Sequence, residues 1–195
     1  MKNLLTAVLV MTSFGVSAEL EQQVSVSYLY SKTKSDWASS LNGVGITYQL
    51  GVGRFAADLR HQYSKGDGKF LGVTPITESQ QDTIAYIGYD AFQTDIFRFT
   101  SFIGYRWEKD ELSNVSPNFS AQSPAIKVSA AAELLPKVDA TLDYERIFLD
   151  GYYTPYNIYS TAIYYKINDT LSANIGYLRE QDRLTQYQLG INYSF

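Results

Sequence analysis

The amino-acid sequence predicts an all-β protein that crosses a membrane as a closed, antiparallel, up-and-down β-barrel of ten strands. Three observations favour this fold. Apolar and polar residues alternate with a period of two along most of the chain. The connections between alternating segments are short and long in turn, and aromatic residues collect near both ends of the segments. A soluble sandwich also alternates, but it gives no reason for two rings of aromatic residues.

Composition excludes several classes of protein. Charged residues make up 18% of the chain, below the roughly 25% that is usual for soluble domains. The absence of cysteine excludes a disulfide framework, a Cys-type zinc site and an iron–sulfur protein. A net charge of -4 without a block of basic residues argues against a nucleic-acid partner. We expect no cofactor and no metal, because one histidine and scattered carboxylates form no ligand cluster.

The first segment has the pattern of an export signal. A basic start at Lys2 is followed by the apolar run Leu4–Met11 and by the small residues Val16-Ser17-Ala18. We therefore predict a signal peptide over residues 1–18, cleaved after Ala18, and one barrel domain over residues 19–195.

The first five predicted strands cover residues 21–31, 41–50, 54–64, 79–90 and 95–108. Their apolar faces contain Val24, Val26, Tyr28 and Tyr30; Val44, Ile46, Tyr48 and Leu50; Phe55, Ala57, Leu59 and Tyr63; and Phe97, Phe99, Ile103, Tyr105 and Trp107. The fourth strand alternates least well, because Ile84 and Tyr86 compete with Ile87 and Tyr89 for the apolar face.

The last five predicted strands cover residues 124–135, 138–148, 157–167, 170–180 and 184–195. Their apolar faces contain Ile126, Val128, Ala130, Ala132 and Leu134; Ala140, Leu142 and Tyr144; Tyr159, Ile163, Tyr165 and Ile167; Leu171, Ala173, Ile175 and Tyr177; and Tyr187, Leu189, Ile191, Tyr193 and Phe195. An even number returns both chain ends to the periplasmic side. Loss of the last hairpin, whose turn at residues 180–183 is short, gives the alternative of eight strands.

The connections and charges set the orientation of the strands. Tight connections near 51–54, 91–94, 136–137 and 168–169 alternate with long ones at 32–40, 65–78, 109–123 and 149–156. Outer-membrane barrels have short periplasmic turns and longer external loops. An arginine such as Arg60 on the lipid face would cost about 2–4 kcal/mol near the midplane, so the charged face is expected to line the lumen.

The final strand carries a second signal. The chain resembles small bacterial outer-membrane barrels of the OmpA/OmpX/Ail type, through its signal peptide, its first strand and its ending. The ending is similar to the carboxy-terminal assembly signal of these proteins: Tyr187, Leu189, Ile191, Tyr193 and Phe195. The resemblance implies an outer-membrane location and recognition by the barrel-assembly machinery.

Thirteen charged residues are predicted to point into the lumen. They are Asp58, Arg60, Asp82, Asp90, Arg98, Arg106, Glu108, Lys127, Glu133, Asp139, Asp143, Glu145 and Lys166. We interpret them as a structural ion-pair network, with a narrow ion path as the alternative. Arg146 has the lipid-facing parity, and we expect it to reach lipopolysaccharide phosphates above the hydrocarbon.

The long loops contain aromatic residues of the kind that anchor interaction surfaces. We predict that these residues are exposed and contact an unidentified surface ligand: Trp37, Phe70, Phe119, Tyr152, Tyr153 and Tyr156.

Three functions remain open from the sequence. The leading hypothesis is a structural or surface-interaction scaffold that displays external loops and contacts outer-membrane lipid. The alternative is a small ion channel. The third is a lipid or peptide hydrolase, which we do not expect because His61 and the nearby Ser64 have opposite parity in one strand.

Overall fold

The computed structural model describes residues 20–34, 40–70, 74–113, 118–148 and 154–195, without the side chains of Phe70 and Thr74. Its ten strands are β1 Leu20–Thr33, β2 Leu41–Val52, β3 Phe55–Phe70, β4 Thr74–Gln93, β5 Phe97–Leu112, β6 Phe119–Leu135, β7 Val138–Ile147, β8 Tyr156–Lys166, β9 Leu171–Glu180 and β10 Leu184–Ser194. The predicted signal peptide lies outside the described residues. Among the described residues, no helix is long and apolar enough to cross a membrane.

The strands form a closed barrel. Each strand pairs antiparallel with its neighbours in the chain, and β10 returns to pair with β1. Val26 lies opposite Ile191 at this closing seam, and the Phe195 amide donates to the Gln22 carbonyl at 3.0 Å. Closure gives every strand two partners, which satisfies backbone groups in a hydrocarbon environment. The prediction of ten strands is confirmed, and the alternative of eight is wrong.

The predicted register is also confirmed. The side chains of Ile103 and Leu189 point outward and are each 63% exposed, whereas inward-facing Leu29 is fully buried. In β4 the ambiguity is resolved by pairing with β5, because Ile87 lies opposite the outward-facing Ile103. Ile84 and Tyr86 of the same strand therefore face the lumen, where both are buried.

Strands β3 to β6 are longer than predicted. These four strands continue past the point where β2 stops pairing with β3 and β7 stops pairing with β6. The additional segments are residues 66–70, 74–78, 109–112 and 119–123. We call these four segments the protruding sheet. The predicted long loops 65–78 and 109–123 are thus mostly strand, because ladder hydrogen bonds between polar segments need no apolar face.

The core of the molecule lies inside the barrel. Ile84, Tyr86, Ile147, Ile158 and Leu178 pack together there, and each is less than a tenth exposed. This apolar cluster shares the lumen with the charged side chains described next.

Candidate functional site

One ion pair crosses the middle of the lumen. Two contacts of 3.4 and 3.3 Å join the Arg60 guanidinium on β3 to the Glu145 carboxylate on β7. The Tyr86 hydroxyl on β4 donates to the same carboxylate at 3.0 Å. Glu145 is fully buried. Removing a carboxylate from water costs free energy. The contacts with Arg60 and Tyr86 offset that cost and hold Glu145 in position.

A second pair lies beside the first. The Lys127 ammonium on β6 donates to the Asp58 carboxylate on β3 at 2.5 Å. It also lies 4.2 Å from the ring centre of Phe102 and 4.7 Å from that of Tyr86, distances at which a cation is attracted to a ring. Lys127 and Glu145 are direct partners in the β6–β7 ladder, so the two pairs form one group.

A third group closes the outer part of the lumen around Arg106. Its Nε lies 2.7 Å from Asp82 Oδ1, and its Nη2 lies 2.7 Å from Glu180 Oε1. Its Nη1 donates to the Tyr156 hydroxyl at 2.5 Å. All these contacts are inside the barrel, so one guanidinium ties β5 to β4, β8 and β9.

The turn after β9 adds a further guanidinium to this outer group. Arg183 bonds to Glu108, lies 3.4 Å from Glu180, and packs 4.7 Å from the ring centre of Tyr156. Burial lowers the pKa of Arg183, but the charges of Glu180 and Glu108 raise it above the ordinary value on balance. Arg183 is therefore a permanent cation at the outer mouth.

Sequence reasoning missed both Arg183 and Glu180. Glu180 shares the inward parity of Asn174 and Leu178, so the alternation of β9 could have identified it. Arg183 lies in a turn, where no periodicity indicates the direction of a side chain.

The periplasmic part of the lumen is more open. Lys166 lies 3.0 Å from Asp139 and 3.7 Å from Glu133. Arg98 lies 3.2 Å from Glu21 and 3.5 Å from Asp90. Most of these side chains are partly exposed, so each pair contributes little to stability.

All thirteen predicted lumen charges lie on the inward-facing side of their strands. Asp143 accepts a hydrogen bond from the Ser160 hydroxyl at 3.3 Å, and every inward cation among them has a carboxylate partner.

The loop aromatics are placed differently from the prediction. Trp37, Tyr152, Tyr153 and the side chain of Phe70 lie outside the described residues. Phe119 is the first residue of β6 and is half-buried. The prediction that Tyr156 is exposed is wrong: it begins β8, is 6% exposed, and turns its hydroxyl to Arg106 inside the lumen.

A cavity of about 560 Å³ opens at the outer mouth, lined partly by Asp110, Phe119, Pro155 and Arg183. Asp110 belongs to the protruding sheet, beyond the spanning part of β5. Burial first, and then the charge of Glu108, raise the pKa of Asp110 to about 7. Its Oδ1 has no hydrogen-bond partner among the described residues.

The outward face carries the remaining candidates. The five residues of the predicted assembly signal all point outward and are about half exposed. His61 Nδ1 lies 2.7 Å from the Thr83 hydroxyl on this face, whereas Ser64 is buried on the lumen side. Within the described ranges, no group of three or more His, Cys, Asp and Glu side chains could hold a metal ion.

Comparison with known proteins gives matches of structure only. No protein-family model and no curated protein sequence matches the chain. Ail, the attachment invasion locus protein of Yersinia pestis, solved with the heparin analogue sucrose octasulfate, has a TM-score of 0.50 at 15% identity, covering 91% of this chain and 99% of that one. The NanC porin has a TM-score of 0.53 at 8% identity, covering 87% and 98%.

An outer-membrane channel from Pseudomonas putida F1 has a TM-score of 0.50 at 9% identity, covering 93% of this chain and 97% of that one. At these identities the likeness concerns the fold alone. The chain therefore has the fold of small bacterial outer-membrane β-barrel proteins, with ten strands.

Proposed function

We propose that the protein is a surface scaffold: a barrel with a filled lumen that anchors the protruding sheet and the external loops for interactions outside the cell. The observation that carries this proposal is the packing of the lumen. Ion pairs and buried apolar side chains meet there from opposite walls.

The geometry of the pairs supports a filled lumen. Arg60 on β3 and Glu145 on β7 are four strands apart in a ring of ten, and so are Arg106 on β5 and Glu180 on β9. Contacts between strands so far apart must cross the interior. A barrel only slightly wider than one of eight strands has room for side chains but little else.

The protruding sheet supports the surface role. Its segments project past the pairing between Asn42 and Lys65 on one side and between Ala125 and Ile147 on the other. Hydrogen bonds between its strands hold the protruding sheet rigid. Its side chains can therefore bind a partner without the loss of conformational entropy that ordering a flexible loop would cost.

Conductance across a planar bilayer tests the proposal. The refolded protein should give no steps above the membrane baseline. Steady ion-selective steps would reject the filled scaffold and favour the alternative, a narrow channel lined by the same charges.

A shortened variant tests the surface role separately. Lys65 and Ser79 are partners in the β3–β4 ladder, so replacing residues 66–78 by Asn-Gly should close a two-residue hairpin and leave the barrel intact. Adhesion to cultured epithelial cells and outer-membrane permeability are then measured. If both match the wild type while the variant is folded at the surface, the β3 and β4 segments of the protruding sheet have no such role.

We also propose that the protein is not an enzyme. His61 was the one candidate for a hydrolase, and it contacts a threonine hydroxyl rather than Ser64. Phospholipase and protease assays of the wild type and of His61→Ala should both remain at background. Activity of the wild type above background would contradict this, and its loss in the variant would assign it to His61.

A further inference from the structure

The cavity at the outer mouth lies between two parts of the fold. On one side Asp110 and Phe119, direct partners in the β5–β6 ladder, belong to the protruding sheet. On the other side Arg183 belongs to the turn after β9, and Pro155 and Tyr156 lie at the start of β8. The volume of about 560 Å³ is in the range of small-molecule sites, roughly 300–1,000 Å³. We call this cavity the outer cleft.

The charged side chains around the outer cleft contain more carboxylates than cations. Two guanidiniums, Arg106 and Arg183, are in contact with four carboxylates. These are Asp82, Glu108, Asp110 and Glu180. The Asp110 carboxylate has the weakest of these contacts, because its Oδ2 lies 3.9 Å from Arg183 Nη2, which is too far for a hydrogen bond. A surplus of negative charge therefore remains, and Asp110 is the carboxylate that lacks a close cation.

The external loops cannot supply the missing cation. The loop segments 35–39, 71–73, 114–117 and 149–153, which lie outside the described residues, contain no lysine or arginine in their sequences. Lys34, before the first of these segments, is paired with Asp182 at 3.1 Å. The three lysines of β3 and β5 at this level have the outward parity of their strands: Lys65, Lys69 and Lys109. Partial neutralisation of Asp110 within the chain is therefore left to a proton.

Two buried carboxylate oxygens of this group lack hydrogen-bond partners among the described residues. They are Asp110 Oδ1 and Glu180 Oε2, on side chains that are 22% and 5% exposed. The pKa of Asp110 is raised first by burial and then by nearby charges, which Arg183 opposes only in part. The charges that raise it belong to Glu108, Glu78 and Glu180. Buried acceptors without partners cost free energy, and perturbed groups in a cleft are characteristic of binding sites.

The lining of the outer cleft favours an organic cation over other ligands. An anion would meet the carboxylates of Asp110 and Asp182, and the guanidinium of Arg183 is already paired. Phe119 and Pro155 offer apolar surface that methylene groups can cover and that a hydrated metal ion would not use. A ligand with a positive head and an alkyl chain matches both features.

We propose that the outer cleft binds a small organic cation, with an ammonium group on the Asp110 carboxylate and an alkyl chain against Phe119 and Pro155. The ammonium donates charge-assisted hydrogen bonds and supplies the partner that Asp110 Oδ1 lacks within the chain. Rotation about χ2 presents either carboxylate oxygen to the cleft. Only the ionised carboxylate binds the cation, so below pH 7 binding releases the proton of Asp110 to the solvent. Binding in the outer cleft does not depend on whether the protruding sheet contacts other cells.

Calorimetric titration of the refolded protein with cadaverine, a five-carbon diamine, in neutral detergent micelles at pH 8 tests the proposal. We expect saturable binding that Asp110→Asn weakens about 10-fold or more, because a hydrogen bond to a charged group is lost. The control variant Asp67→Asn removes the same charge from the outward face of the protruding sheet, where Asp67 accepts a hydrogen bond from Thr77 at 2.8 Å. Its affinity should change less than about twofold, because an exposed charge outside the cleft is screened.

A second arm keeps the wild-type protein and changes the pH or the ligand. The affinity for cadaverine should fall about 100-fold between pH 8 and pH 5, because the proton competes for Asp110, whose pKa is about 7. The residual affinity of Asp110→Asn should change less than about threefold over the same range. The neutral analogue 1,5-pentanediol should bind the wild type at least about 10-fold more weakly than cadaverine.

Four results would overturn the proposal. They are no binding of cadaverine to the wild type, equal losses in Asp110→Asn and Asp67→Asn, equal binding of 1,5-pentanediol, or a wild-type affinity that is the same at pH 5 and pH 8. Both variants should refold like the wild type, because Asp67 is exposed and the ionised Asp110 carboxylate costs the fold stability. Adhesion and conductance are not measured, so failure here would leave the proposed scaffold function standing.

Discussion

Replacing Glu145 by glutamine keeps the shape of this buried side chain but removes the negative charge that pairs with Arg60. In the wild type two contacts of 3.4 and 3.3 Å join the groups, and Glu145 is fully buried. The substitution leaves Arg60 and Lys127 sharing the nearby Asp58. Breaking a buried pair in this way costs about 3–5 kcal/mol, and we expect the lower end because Arg60 is 17% exposed.

The double variant Arg60→Met, Glu145→Leu is the matched control. It removes both charges and fills the space with apolar atoms, which is often neutral or stabilising for a buried pair. We therefore expect it to recover most of the stability that Glu145→Gln loses.

Urea unfolding in lipid vesicles, followed by tryptophan fluorescence, measures both variants under conditions where folding is reversible. A loss below about 1 kcal/mol for Glu145→Gln, the value of an exposed pair, would show that water reaches this part of the lumen. A double variant no more stable than Glu145→Gln would also refute the reasoning, since removal of the second charge would then recover nothing.

Three further predictions concern assembly and pH. Boiled and unboiled samples of the folded protein should migrate differently on gels, because a closed barrel has no free edge for detergent to open; equal migration would count against closure. Phe195→Ala and Tyr193→Ala should refold in vitro, because burying one such ring contributes only about 2 kcal/mol. Both variants should insert poorly into the outer membrane in cells, and normal insertion would reject the assembly-signal interpretation. Asp110→Asn should stabilise the protein by about 1–3 kcal/mol at pH 8 and progressively less toward pH 4. The sign follows because the pKa of Asp110 in the folded protein, about 7, lies above its unfolded value, so ionisation costs stability as pH rises; an equal effect at both pH values would contradict it.

The alternation of side chains was sufficient to predict the barrel, its strand number and, in every strand except β4, its register. A shift of the pairing register by one residue would move all the outward-facing apolar side chains of a strand into the lumen. The alternation therefore strongly restricts the register. The same signal fails where no membrane surrounds the strand. Residues 66–70 and 119–123 have no apolar face to detect, and they were predicted as loop.

Contacts inside the lumen were predictable as a set but not as pairs. Parity places Arg106 inside, but it does not distinguish Asp82, its neighbour on β4, from Glu180, four strands away. Tyr156 was mistaken for a loop residue because its burial depends on Arg106 and Arg183, which lie far from it in the sequence.

The cross-lumen pairs also bear on how the barrel forms. Arg60 and Glu145 are 85 residues apart, Arg106 and Glu180 are 74 apart, and Lys127 and Asp58 are 69 apart. Hydrogen bonds between neighbouring strands can form locally, but none of these ion pairs can form until the sheet curves into a barrel. As long as the sheet is open, water rather than another side chain solvates each of these charges. Closing the barrel and replacing that water by ion pairs therefore have to occur together.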